Sequence, residues 1–150
     1  MDLSHHKNAK VLAYCSREFS NFPKFAAHDS EPDPYYGCGC HPDIVDRLWN
    51  QIGAILPEDC RGLVGRTPGL IHPKTGVILA IGIGTKYGLR LSGGLVGEAI
   101  KAGVKTRTVW SGGKEMDIVQ DLGDDWVFGA WLAEELCWCK KVHELNDCPI

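Results

Sequence analysis

The segment Cys38-Gly-Cys40-His41 has the spacing in this chain most able to do chemistry. Two thiolates two residues apart in a glycine loop, followed by an imidazole, can reach one soft metal ion such as zinc. A tetrahedral site needs a further ligand. Cys137-Trp-Cys139 offers a second pair, but on a helix residues two apart point about 200° away from each other and cannot both face one metal. Cys139 and His143, four apart, can. The candidate metal set is therefore Cys38, Cys40, Cys139 and His143, with His41 or Cys60 as alternatives. Cys60 lies roughly 25–30 Å of helix beyond the loop and would need a sharp return to join it. Against this stands the use of cysteines as small apolar residues; on that reading no cofactor is expected.

The same loop admits a thiol enzyme. Cys40 sits just before a helix start, where the dipole favours a thiolate, although Asp43 nearby opposes it. A base from His28, His72 or His143 would have to arrive by tertiary contact. Two other patterns explain themselves structurally. Gly82-Ile-Gly84-Thr-Lys86-Tyr-Gly88 lacks the third glycine of a dinucleotide loop and precedes a strand, so it reads as a hairpin bend. The carboxylates Glu115, Asp117, Asp121, Asp124 and Asp125 lack the spacing of a calcium loop and read as solvated or capping groups.

Charge is segregated along the chain. Residues 61–110 carry eight Lys/Arg against Glu98 alone, whereas residues 1–60 carry five against nine Asp/Glu and residues 111–150 three against nine. Local neutralisation between packed elements accounts for this; a basic face for phosphate or nucleic acid is the functional alternative, with Lys86 and Arg90 as its candidate contacts. The N-terminal residues show no signal-peptide layout, and no apolar run reaches the 18 or so residues of a membrane span. The expectation is a cytoplasmic chain with no membrane partner whose seven cysteines are mostly thiols.

The elements that must position these residues fit one domain. At 150 residues, 44% apolar and 23% charged, the chain can build one core. Sixteen of its 18 glycines lie between Gly53 and Gly129, which argues for a turn-rich, strand-bearing middle. Residues 1–41 read as an irregular N-terminal segment packed on the domain, with Lys10-Val-Leu-Ala-Tyr-Cys15 as a strand or helical turn. Residues 42–150 read as a single α+β domain. A helix is expected over 42–56, with Pro42 at its first position and Ile44, Val45, Leu48, Trp49, Ile52, Ile55 and Leu56 on one face. Residues 69–72, 77–84 and 86–91 predict a three-stranded antiparallel meander. A short helix over 95–102, one or two further strands over 104–110 and 116–120, and a long helix from Asp124 or Asp125 to about Leu145 complete an antiparallel sheet packed against about three helices.

With Lys74-Thr-Gly-Val-Ile-Leu-Ala, Leu89-Arg-Leu and a tryptophan-bearing C-terminal segment, residues 69–142 resemble the small α+β domains of the MmcQ/YjbR and TfoX N-terminal type. That resemblance implies a fold, and a binding module more than an enzyme. Trp131 and Trp138, seven apart, share one helical face that either lies in the core or grips a partner. The leading expectation is a small, non-catalytic binding protein that engages another protein chain or itself. The candidate binding residues are Trp131, Trp138, Lys86 and Arg90.

Overall fold

The computed structural model describes residues 2–15, 25–27, 40–54, 56–84, 86–91, 108–111, 114–117 and 122–129. A 3₁₀ turn, His6–Asn8, leads into helix α1 (Ala9–Cys15), strand β1 (Phe25–Ala27) and helix α2 (Pro42–Asp46), which continues as a π-helical turn, Arg47–Ile52. A second 3₁₀ turn, Glu58–Cys60, precedes β2 (Arg61–Val64), β3 (Thr67–Ile71), β4 (Ile78–Ile83) and β5 (Lys86–Arg90). Strands β6 (Thr108–Ser111), β7 (Lys114–Asp117) and β8 (Trp126–Gly129) follow. Six strands form one sheet in the order β1-β2-β3-β4-β5-β8, every neighbouring pair antiparallel, and β6 and β7 form a separate hairpin. The class is α+β, and the expected meander is β3-β4-β5.

The sheet is buried on both faces. Leu70, Ala80, Leu89 and Val127 pack beneath Ile44, Val45, Leu48, Trp49 and Ile52 of α2 and its π-helical extension. On the opposite face Val64, Ile71, Ile78, Ile81 and Trp126 pack against Leu3, Val11, Leu12 and Cys15 of the N-terminal segment. Every residue of β4 is buried, as expected of a central strand covered on both sides. A bulge at Leu70/Ile71 leaves Leu79 as the extra residue of β4, so Leu79 and Ala80 both join the α2 side. Between β4 and β5 the chain turns at Gly84, whose φ of 57° is a left-handed value suited to a tight hairpin.

Three expectations need correction. The helix predicted over 42–56 is α-helical only to Asp46 and ends at Ile52, because Gly53 N–H donates back five residues to Leu48 O at 2.8 Å. Gly53 seats that turn on the sheet, since a Cβ there would lie 2.7 Å from Leu70 Cδ2. The long helix expected to open at Asp124 or Asp125 does not open there. Trp126–Gly129 instead pairs with β5, Leu89 facing Val127 and Arg90 facing Trp126. A Trp-Val-Phe run suits a pleated, half-covered surface as well as a helix face, and the sheet decides between them. Two helices rather than about three are present among the described residues; the 95–102 prediction lies outside them.

Candidate functional site

The Cys40–His41 pair is placed by the β4-β5 hairpin. Cys40 forms a parallel bridge with Gly84, and His41 N donates to Gly84 O at 2.7 Å. This anchors the start of α2 over the hairpin. His41 Nδ1 then accepts from Asp43 N at 3.1 Å and caps the helix, with Asp43 Oδ2 3.9 Å away. Cys40 is only 8% exposed, and its sulfur lies 2.8 Å from where a Cβ on Gly82 would sit. The glycine at position 82 is therefore the space that the thiol fills, and Cys40 joins the α2-side core. Of the alternative ligands, His41 points outward and Cys60 is buried beside Asp59, 3.7 Å from Cys60 Sγ to the carboxylate. Cys38, Cys139 and His143 lie outside the described residues. Among the described residues no three His, Cys, Asp or Glu side chains converge on a metal position.

The thiols deeper in the protein are held protonated. Burial pushes the Cys15 thiol up to about 11, against a hydrogen bond with Thr67 that lowers it. Burial, then the adjacent Asp59 carboxylate, pushes Cys60 up to about 11. Both favour the neutral form in the folded state, so their contribution to stability is complete below the ordinary thiol range. It is lost as pH rises through about 11. Iodoacetamide at pH 8, followed by peptide mass spectrometry, is expected to leave Cys15 and Cys60 unmodified in the native protein and modified in urea. Native-state labelling of either at the rate of a denatured thiol would contradict this placement.

A second constellation surrounds Arg90. This strand residue is 6% exposed, and its guanidinium is committed to the protein itself. Nε donates to Ile78 O at 2.9 Å, one Nη to Asp125 Oδ2 at 2.7 Å and the other to Lys7 O at 3.1 Å. The same guanidinium lies 4.8 Å from the Trp126 ring centroid. Trp126 Nε1 is buried without a hydrogen-bond partner among the described residues. Arg90 thus ties β4, the N-terminal segment and the turn before β8 together, while Lys86 is half-buried at the hairpin. Trp131 and Trp138 lie outside the described residues.

Sequence reasoning passed over Asn8. It is fully buried, donating through Nδ2 to Leu3 O at 3.1 Å and Gly76 O at 2.9 Å and accepting from Ile78 N at 2.8 Å. The signal was present: residues 8, 11, 12 and 15 recur at helical spacing and form the buried face of the N-terminal helical segment. No helix of the described residues is long and apolar enough to cross a membrane. No family model, no curated protein and no solved structure matches this chain.

Proposed function

We propose that this chain is a small binding protein of the cytoplasm that engages another polypeptide and carries no catalytic chemistry of its own. The observation supporting this reading is the outer edge of β8. Leu91 N donates to Asp125 O at 2.7 Å, which makes Leu91 and Asp125 a hydrogen-bonded pair. The alternation of an antiparallel ladder then makes Leu89–Val127 the next such pair and turns the backbone groups of Trp126 and Phe128 away from β5. Among the described residues no strand pairs with that side. An extended peptide, or the same strand of a second copy, can add there through main-chain hydrogen bonds. The resemblance of residues 69–142 to small binding domains points the same way.

Phe128→Pro tests the reading, because it removes an outward N–H and none that faces β5. Wild-type protein is expected to retain a partner on affinity capture, or to show a dimer by native mass spectrometry. The variant, with its thermal unfolding transition preserved, should lose that complex at least about tenfold. A strictly monomeric wild type that captures nothing, or a variant that binds equally well, would overturn it.

A further inference from the structure

We infer that the N-terminal segment, residues 2–15, is an acid-released strap, docked on the sheet at a joint whose 3₁₀ turn is capped by the neutral imidazole of His5, and loosened when that ring takes up a proton. His5 Nδ1 accepts from Lys7 N at 3.1 Å and caps the 3₁₀ turn His6–Asn8. His72 Nδ1 accepts from Lys74 N at 3.1 Å and Thr75 N at 3.2 Å and shapes the turn between β3 and β4. A backbone N–H can only donate, so each Nδ1 must present its lone pair. That nitrogen is also where a neutral imidazole with this tautomer is protonated. On His5 the cap and the proton are therefore mutually exclusive.

The two capped turns meet at one joint. Asn8, which directly follows Lys7, holds Gly76 O and Ile78 N of the β3-β4 connection. Gly76 adopts φ 75° and lies so close to Asp2 O that a Cβ there could not be accommodated. Loosening either turn therefore misplaces the partners of Asn8.

The surrounding charge opposes proton uptake at His5. His6 stacks on it at 4.5 Å between ring centroids, and Lys7 and Arg90 add like charge. Desolvation, then these cations, hold His5 below the ordinary histidine value. Lys74 is the cation on the His72 turn, and Lys10 on α1 and Asp124 before β8 are both exposed. Asp2 accepts from Ser4 N within the strap, and Asp125 pairs with Arg90. The docked strap is therefore complete above the ordinary histidine range and weakens as pH falls below it. Release would uncover Val64, Ile71, Ile78 and Ile81 on the sheet.

Amide hydrogen exchange at Ile78, whose N–H donates to Asn8, reads the joint directly. Protection corrected for intrinsic exchange is expected to fall about twofold or more between pH 7.5 and pH 5. Leu89, on the α2 side of the sheet, should hold its protection. In the variant His5→Asn the amide oxygen accepts the same bond from Lys7 N without titrating, and Ile78 should lose the pH dependence. Wild-type protection at Ile78 that does not change with pH, or a fall in His5→Asn equal to that of the wild type, would overturn the inference.

Discussion

Asp125→Ala is expected to destabilise the protein by about 3–5 kcal/mol, more than Arg90→Met, although Asp125 makes fewer contacts. The asymmetry comes from what each substitution leaves behind. The side chain of Arg90 is 5% exposed and that of Asp125 33% exposed. Removing the carboxylate strands a guanidinium that water reaches poorly, whereas removing the guanidinium leaves a carboxylate that can be solvated. Arg90→Met still withdraws donors from Ile78 O and Lys7 O and the contact with the Trp126 ring, for about 2 kcal/mol in all. Urea unfolding of the two variants measures the difference, and a cost for Arg90→Met at or above that for Asp125→Ala would refute it. Against a total stability of about 5–15 kcal/mol for a natural domain, either loss would be felt.

The second large effect belongs to Trp49. It is fully buried in the π-helical turn, and its Nε1 donates to Gly62 O at 3.2 Å across to β2. Trp49→Ala opens a cavity between α2 and the sheet and is expected to cost about 3–5 kcal/mol. Trp49→Phe keeps much of the volume but leaves Gly62 O without that donor, for about 1–3 kcal/mol. The ordering Ala above Phe above wild type, read from thermal or urea midpoints, is the check. A Trp49→Ala variant within about 0.5 kcal/mol of wild type, the range of an ordinary surface change, would mean that α2 is not seated on the sheet through this residue.

Both effects arise where distant parts of the chain meet, and that separates what was legible in advance from what was not. The β3-β4-β5 meander was readable because β-branched and apolar runs alternate with Pro73-Lys-Thr-Gly76 and Gly84, residues that mark their own turns. The start of α2 was readable from Pro42 and the apolar spacing that follows. Its end was not, because the π-helical turn is set by Gly53 against Leu70, a contact that the helical pattern does not contain. For the metal-and-thiol loop, the sequence showed the residue types but not that Cys40 would fill the space above Gly82.

Taken alone, the sequence determined the α+β class, the antiparallel middle and the start of α2, because turn chemistry and side-chain periodicity act over a few residues. Only the tertiary structure decided that Trp126–Gly129 is a strand, that Arg90 is an internal tie, and that Asn8 locks residues 2–15 to the sheet. Asp125 is 35 residues from Arg90, and Ile78 is 70 from Asn8. A buried polar group must be satisfied by whichever partner the fold brings to it, and that partner is chosen by strand register and layer packing rather than by its neighbours in the chain.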